Sequence, residues 1–436
     1  MPIPLIVQAA TEGLSSIPYA YPVLKTLACL AVVALLKFYF GGARNRSDRV
    51  MHSKVVMVTG GTSGIGASIV YELASRGAQI ILLTQHAPSD VFLVDYIQDL
   101  RKSTNNQLIY AEQVDLTSLH SVRTFATKWV DNVPPRRLDM IILCANTLTP
   151  ARSPRRITED GLDEEWQVNY LANFHLLSIL SPALRAQPPD RDVRVIFSTC
   201  SSYIGAKMDF NQTEGTAAKE DKPAKPKPQA GSSSKQTKKK EKKDKSTMYG
   251  MTKLALMVFA QAFQKHLSSN KPQDQPMNAK VLIVDPGFSR TPGMRRWLTG
   301  GTLWGLLLYL LTWPLWWLIL KSPQQGAQSF LYAAMDARFG RGSNTGGCLI
   351  KECREIDFLR DEVKDEKVAK ELWEFSEKQI QTKEKEAAVR RAQAKKEKEK
   401  EQAATKDSNN NSDNSASSSA AKSQTPGSRR SRKANK

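Results

Sequence analysis

The sequence predicts a doubly wound α/β domain built around a parallel sheet. Short runs of β-branched and apolar residues alternate with stretches of helical periodicity between residues 55 and 285, which is the pattern of βαβ units. The first run, Val55–Val58, passes directly into a glycine-rich turn and then into a helix. A parallel sheet with a glycine turn after one strand is typical of this fold class.

Charge in the 436-residue chain is concentrated outside the predicted core. The formal net charge is +20, and much of it lies in lysine-rich tracts near residues 219–245 and beyond 378. Neither tract interleaves aromatic with basic residues, so a solvated or membrane-surface role is favoured over nucleic-acid binding. The five cysteines show no pairing or metal-ligand spacing, and the five histidines do not cluster with them. We infer a reducing compartment and no structural metal.

An apolar segment near the N-terminus is long enough to cross a bilayer. It runs from Tyr19 to Phe40 and reaches the ~20 residues that a span needs. Its basic flank consists of Arg44, Arg46, Arg49 and Lys54. This bias predicts that residues 1–50 form a membrane anchor and that the rest of the chain is cytosolic. A cleaved signal peptide is disfavoured because the basic residues lie on the wrong side; the alternative is a segment within one leaflet.

The turn after the first predicted strand has the features of a phosphate site. Gly60, Gly64 and Gly66 permit a tight turn and a close approach of the backbone to a pyrophosphate. The helix that follows offers free N–H groups and the positive end of its dipole. The alternative is a glycine-rich loop without a ligand, which a single motif does not exclude.

The spacing of these glycines, T-G-x-x-x-G-x-G, resembles that of the short-chain dehydrogenase/reductase family. The resemblance runs from about residue 52 to residue 360, and it implies a Rossmann-type domain that binds a nicotinamide cofactor. By this resemblance the pyrophosphate is held by Gly60, Thr62, Ser63, Gly64, Ile65 and Gly66.

The ends of the next predicted strands are expected to contact the rest of the cofactor. An acid after the second strand would select NAD, whereas a base would accept the extra phosphate of NADP. The chain reads Thr84-Gln85-His86 there, and the missing acid favours NADP(H), with Gln85 in the cofactor site. By the resemblance, Asp115 contacts adenine. Ala145 and Asn146 end the strand that usually carries N-N-A-G, and asparagine tolerates positive φ almost as glycine does.

Two stretches resemble the asparagine helix and the serine strand of the family. The helix 161–174 carries Asn169, which by resemblance breaks the helix and holds a water in the proton path; the alternative is an ordinary buried asparagine. Strict register along the strand from Val193 puts Cys200 at the position of the catalytic serine, and a shift of one puts Ser201 there. We choose Ser201, with Ser202 and Thr199 in reserve, since the group only hydrogen-bonds the substrate oxygen.

Tyr249 and Lys253 open a helix and share one of its faces, so both reach the same point. The ammonium is expected to lower the pKa of the tyrosine toward working pH, and the resemblance adds a contact of the lysine with the nicotinamide ribose. Tyr21 and Lys25 have the same spacing, so the pair alone carries little weight. The order of all the motifs along the chain supports the assignment.

The segment after the sixth predicted strand combines a cofactor loop with an apolar run. Pro286, Gly287 and Thr291 match the family's P-G-x-x-x-T, which closes over the nicotinamide carboxamide. Residues 302–320 carry no charge and four tryptophans, a composition that suits a bilayer interface. Pro314 makes a straight span less favoured, so we expect a segment dipped into one leaflet. The alternatives are a buried core helix and an oligomer contact.

Residues 322–334 and 346–353 narrow the resemblance to the retinol-dehydrogenase-like branch, including fungal membrane and lipid-droplet oxidoreductases. The predicted organisation is an anchor over 1–50, the catalytic domain over 51–360 and a charged helix with a disordered tail over 361–436. The low-complexity insert 211–246 is predicted to be disordered, because it cannot offset its ordering entropy by burial.

These expectations describe a membrane-anchored oxidoreductase that interconverts a carbonyl and an alcohol with NADP(H). The two apolar segments imply a lipophilic substrate, namely a retinoid, a sterol or a long-chain aldehyde or ketone, at the endoplasmic reticulum or a lipid droplet. The membrane surface is the second expected partner, and a homo-oligomer is compatible with the sequence. The rival hypothesis is a membrane scaffold that keeps the fold without turnover, because the N-N-A-G turn is altered and the serine is ambiguous.

Overall fold

A computed structural model describes residues 19–150, 153–188, 190–213, 234–269, 278–340 and 346–419. Residues Met1–Gln381 form one compact unit and Thr382–Lys436 a second. The strands are β1 (Val55–Thr59), β2 (Gln79–Thr84), β3 (Ile109–Gln113), β4 (Met140–Leu143), β5 (Val193–Ser198), β6 (Ala279–Asp285), β7 (Cys348–Lys351) and β8 (Arg354–Ile356). The helices are α1 (Ala20–Gly41), α2 (Gly64–Ser75), α3 (Val91–Thr104), α4 (Leu119–Val130), α5 (Glu164–Trp166), α6 (Ala172–Arg185), α7 (Ser234–Ser269), α8 (Pro292–Thr299), α9 (Leu303–Leu311), α10 (Trp313–Ile319), α11 (Pro323–Met335) and α12 (Glu366–Ser419).

The strands form one sheet in the order β3-β2-β1-β4-β5-β6-β7-β8. Every neighbouring pair is parallel except β7 and β8, which are antiparallel. The chain winds outward in one direction from β1 to β3 and in the other from β4, so the order reverses between β1 and β4. Ligands of open α/β sheets bind at the carboxyl ends of the strands beside such a reversal.

Alternate residues of the central strands enter two separate cores, as the two-residue period of a strand requires. Val55 and Met57 point into the core covered by α4, α6 and α7, while Val56 and Val58 point into the core beneath α2, α3 and α11. The central strands are therefore buried on both faces, which explains their nearly continuous apolar sequences.

The structure confirms the predicted doubly wound α/β fold, with the antiparallel β8 as an addition to the expected parallel sheet. Helix α1 contains a stretch, Tyr21–Gly41, that is long and apolar enough to cross a membrane and is not buried in the protein. Of the insert predicted over 211–246, residues 214–233 lie outside the described residues, and α7 already begins at Ser234. The predicted tail beyond Ser419 and the first residues of the predicted anchor also lie outside them.

Candidate active site

The turn after β1 is shaped by the absence of side chains. Gly60 has a φ of +67°, and a Cβ there would lie 2.7 Å from the backbone of Ala145. A Cβ on Gly66 would lie 2.1 Å from the carbonyl oxygen of Gly60. Ser63 precedes α2 without capping it by its side chain, so the first turn of α2 opens onto this cradle. Bare backbone and a helix N-terminus fit the pyrophosphate of a dinucleotide.

The loop after β6 closes against this cradle. Thr291 caps α8 by accepting a hydrogen bond from the backbone N–H of Met294 at 3.2 Å. Its Cγ2 lies 3.2 Å from the position of a Cβ on Gly64. Gly287 has a φ of +73° and its N–H donates to Asp285 at 2.9 Å. Pro286, Gly287 and Thr291 thus join a loop that borders the glycine turn.

The outer strands carry the residues expected near the adenosine. Gln85 is exposed at the end of β2, and its carbonyl oxygen accepts a hydrogen bond from the Gln113 amide at 3.3 Å. Asp115 Oδ1 accepts from the backbone N–H of Thr117 at 2.8 Å and from its hydroxyl at 2.7 Å. Gln85 thus follows β2 and Asp115 follows β3, two strands that are neighbours in the sheet. Their contacts with a cofactor stay predictions.

Asn169 lies in a π-helical turn, Gln167–Leu171, between α5 and α6. Its Oδ1 accepts the N–H of Thr147 at 2.7 Å, and its Nδ2 donates to the Thr147 carbonyl at 2.9 Å. The same Nδ2 lies 3.4 Å from Thr252 Oγ1 on α7. The resemblance predicts a local break of the helix at Asn169, and the π-helical turn is such a break. π-helical turns inside α-helices are frequent at functional sites.

Tyr249 and Lys253 lie on α7 beside the ends of β4 and β5. The Tyr249 hydroxyl donates to Asn146 Oδ1 at 3.3 Å. Lys253 is buried, and its Nζ donates to the Ser198 carbonyl at 3.2 Å and lies 5.5 Å from the centroid of the Tyr249 ring. The predicted tyrosine–lysine pair therefore contacts the ends of two neighbouring strands. Tyr249 binds Asn146 after β4, and Lys253 binds Ser198 at the end of β5.

The pKa of Tyr249 departs from the expectation. Burial raises it well above the usual value for tyrosine, and the adjacent Cys200 side chain and the nearby carboxylates Glu165 and Asp285 raise it further. Burial also lowers the pKa of Lys253. The expected lowering of the Tyr249 pKa is therefore not found, since burial has the largest effect on this phenol and raises its pKa.

Cys200 and Ser201 face different partners at the end of β5. The Cys200 side chain lies close enough to Tyr249 to raise the pKa of its phenol, and its Sγ lies 2.8 Å from Ser202 Oγ. Ser201 Oγ instead donates to Asp285 Oδ2 at 2.8 Å and accepts from Lys351 Nζ at 3.1 Å. For a group that holds the substrate oxygen beside Tyr249, the geometry favours Cys200, the position given by strict register, over the chosen Ser201.

Two buried carboxylates near Tyr249 were not singled out from the sequence. Asp285 is 4% exposed and forms a 3.3 Å ion pair with Lys351. Glu165 is 4% exposed, and one of its oxygens accepts the N–H of Thr149. Burial raises the pKa of Glu165 to about 7. The signal for Asp285 was its place directly before Pro286-Gly287; nothing local distinguished Glu165 from its neighbour Glu164.

The site joins a nucleotide cradle to a tyrosine, a buried lysine and an amide, which is the arrangement of a nicotinamide-dependent dehydrogenase. A model of the family described as short chain dehydrogenase matches residues 54–220. The chain is 41% identical over 388 residues to "Uncharacterized oxidoreductase pbr1" of Schizosaccharomyces pombe, a match that covers 88% of this chain and 97% of the relative. The chain therefore belongs to the short-chain dehydrogenase/reductase family.

Other relatives carry oxidoreductase or dehydrogenase names. "Uncharacterized oxidoreductase YNL181W" of Saccharomyces cerevisiae is 33% identical over 409 residues, with 90% of this chain and 95% of the relative covered. "Retinol dehydrogenase 13" of Mus musculus is 29% identical over 345 residues, with 78% and 87% covered. A crystal structure of an uncharacterized protein from Mycobacterium paratuberculosis shares the fold, with a TM-score of 0.50, 19% identity and 78% and 97% coverage. The chain is thus an NAD(P)-dependent oxidoreductase of carbonyl and alcohol groups, similar to the retinol-dehydrogenase-like branch.

Proposed function

We propose that this protein is a membrane-anchored oxidoreductase that interconverts a carbonyl and an alcohol on a lipophilic substrate with NADP(H), and that reduction is its working direction. The observation that carries the proposal is the continuity of three parts. The catalytic tyrosine lies beside the cofactor cradle, the loop 286–291 borders that cradle, and an exposed apolar helix pair follows this loop after the short helix α8.

The apolar helix pair, α9 and α10, presents large side chains to solvent. Its exposed members are Leu303, Trp304, Leu306, Leu307, Leu308, Leu310, Leu311, Trp313, Leu315, Trp317 and Ile319. Exposed apolar patches of this kind mark interaction or membrane surfaces, and tryptophan is favoured where apolar chains meet water. We therefore place the helix pair in one leaflet of a membrane.

The helix pair is tied to the predicted anchor. Lys37 near the end of α1 donates to the Trp317 carbonyl at 2.5 Å and lies 4.9 Å from the centroid of that ring. The backbone N–H of Ala43, just after α1, donates to Glu352 at 2.8 Å, and Glu352 pairs with Lys321. Lys321 in turn pairs by its backbone with the loop 286–291. A substrate that leaves the bilayer would thus meet the loop beside the nicotinamide end of the site.

The roles of the chain's own residues follow from their positions. When bound, the nicotinamide gives or takes the hydride at the substrate carbon. Tyr249 donates or accepts the proton at the substrate oxygen, and Cys200 hydrogen-bonds that oxygen. Lys253 supports Tyr249 electrostatically, and Asn169 holds the path between Lys253 and solvent. The glycine cradle, Gly60 to Gly66, binds the pyrophosphate.

The preference for NADP(H) rests on the end of β2. Thr84-Gln85-His86 contains no acid, so no carboxylate in this stretch repels a ribose phosphate. The arginines and lysine at 44, 46, 49 and 54 favour a cytosolic catalytic domain, where NADPH supports reduction. We place the protein at the endoplasmic reticulum or lipid-droplet surface, since lipophilic aldehydes and ketones partition there.

A second candidate is a membrane scaffold that binds the cofactor without turnover. Its support is the hydroxyl of Tyr249, which donates a hydrogen bond to Asn146 and has a raised pKa. Such a protein would hold NADPH while its tyrosine stays neutral and unused.

The test measures NADPH and NADH oxidation by the full chain in nanodiscs with retinal, a long-chain aldehyde, a sterol ketone and a short water-soluble aldehyde. We expect turnover with NADPH and a lipophilic member of the panel. Tyr249→Phe should lower kcat by about 10²-fold or more, the usual contribution of a general acid. Tyr71→Phe, which alters an exposed phenol on α2, is the matched control. NADPH binding with no turnover on any member would favour the scaffold.

A further inference from the structure

The first turns of α12 cover the helices that form one wall of the site. The Trp373 ring lies 5.1 Å from that of Phe174 on α6 and 5.7 Å from that of Phe259 on α7, measured between centroids. Leu372 is 1% exposed. This part of α12 is therefore a core element of the catalytic unit and is packed as tightly as the helices beneath it.

Two polar side chains of α12 are buried in this apolar contact. The Tyr170 hydroxyl lies 2.7 Å from Ser376 Oγ, and Ser376 donates to the Leu372 carbonyl at 2.7 Å. Ser376 Oγ therefore accepts the hydrogen bond that the Tyr170 hydroxyl donates. Trp166 Nε1 donates to Gln379 Oε1 at 2.8 Å, and Gln379 Nε2 donates to Thr213 Oγ1 at 3.1 Å. Tyr170, Ser376, Trp166 and Gln379 thus each have a hydrogen-bond partner in this network.

The residues bonded in this way bracket the π-helical turn. Trp166 directly precedes it and Tyr170 lies within it, and both are 0% exposed. Asn169 lies between them and holds Thr147 by two hydrogen bonds. A buried polar network of complete geometry favours one packing arrangement over its neighbours. An α-helical repacking of the turn would break the bonds to Ser376 and Gln379.

We propose that Ser376 and Gln379 are positioning residues that hold the π-helical turn and thereby fix Asn169 against the loop after β4. The inference rests on the proposed function, in which Asn169 serves the proton path. It gives the first turns of α12 a part in catalysis that acts through Trp166 and Tyr170. Gln379 also donates a hydrogen bond to Thr213. Thr213 is the last described residue before Ser234, so the same side chain holds the described end of the segment that precedes the insert.

The experiment uses the full chain with Ser376→Ala, Gln379→Met and Tyr170→Phe. Each removes a polar group and little volume. Glu377→Ala is the matched control, because Glu377 is exposed on the same helix and accepts a hydrogen bond from Trp373 at 2.7 Å. Amide hydrogen exchange is followed at Thr147 and over residues 167–171. The values of kcat and KM are measured for each variant alone and combined with Asn169→Ala.

We expect the three variants to speed exchange of the Thr147 amide by about tenfold, as expected when a buried hydrogen bond is weakened, with no change in Glu377→Ala. They should lower kcat by about tenfold with KM for NADPH within twofold, and cause no further loss in the Asn169→Ala background, because residues that act as one unit are not additive. Wild-type exchange at Thr147 in all three variants, or losses that multiply with Asn169→Ala, would overturn the inference. If Asn169→Ala and Tyr249→Phe themselves keep wild-type rates, the proposed function fails, while the exchange data still test the positioning.

Discussion

The site has two walls of different construction. The wall after β1 consists of backbone, since Gly60 and Gly66 admit no Cβ. The wall at the ends of β4, β5 and β6 consists of side chains from separate elements: Asn146, Cys200, Tyr249, Lys253 and Asp285. The first wall follows the family pattern closely and the second departs from it. A backbone site tolerates no side chain, whereas a side-chain site can exchange one hydrogen-bonding group for another.

The largest effect should come from the backbone wall. We expect Gly66→Ala to abolish binding of NADPH, because its Cβ would lie 2.1 Å from the Gly60 carbonyl oxygen and nothing flexible can yield there. Gly205→Ala is the matched control, since a Cβ at Gly205 meets nothing within 4 Å. Isothermal titration with NADPH measures both. Tight binding by Gly66→Ala would show that the turn does not hold the pyrophosphate.

A smaller and graded effect is expected at the side-chain wall. Cys200→Ala should lower kcat by about tenfold, since a thiol is a weak donor and the loss of a strong one costs about 10²–10³. Cys200→Ser should retain or raise kcat. Ser201→Ala should stay within about threefold, because Ser201 faces Asp285 and Lys351. Steady-state kinetics on one lipophilic aldehyde compare the three, and a larger loss in Ser201→Ala than in Cys200→Ala would restore the assignment to Ser201.

The contrast between the walls explains what could be predicted from sequence. The glycine turn is encoded within twelve consecutive residues, 55–66, so local spacing suffices to find it. The alternation of strands and helices likewise predicted the doubly wound parallel sheet, but not its last two strands, β7 and the antiparallel β8. Whether Cys200 or Ser201 faces Tyr249 depends on how the chain turns after β5, and a one-residue ambiguity cannot be resolved locally. The contacts of Gln379 with Trp166 join residues 213 positions apart, and no periodicity announces them.

Glu165 acts on the side-chain wall through its charge, which raises the pKa of Tyr249. Its pKa is raised to about 7 by burial, and by the nearby Asp163, against the hydrogen bonds from Thr149 and the charge of Arg155. The folded state therefore holds a proton on Glu165 at pH values where the unfolded chain has released it. The stability that this proton provides is fully present below the ordinary pKa of 4.5 and is lost as the pH rises toward about 7.

The last effect we expect depends on pH and acts on stability. At about 1.4 kcal/mol per pKa unit, the shift of Glu165 corresponds to a loss of about 3 kcal/mol in the free energy of unfolding between pH 4.5 and 7. Glu165→Gln, which cannot ionise, should flatten this part of the curve, whereas Glu164→Gln, at a half-buried neighbour paired with Arg156, should leave it unchanged. Urea unfolding from pH 5 to 8 measures it. The removed charge also raised the pKa of Tyr249, so the alkaline limb of the reduction rate should move to lower pH in Glu165→Gln. Parallel curves for all three proteins would show that the pKa of Glu165 is not raised in the folded state, and Glu165 would then have no part in the pH dependence of this wall.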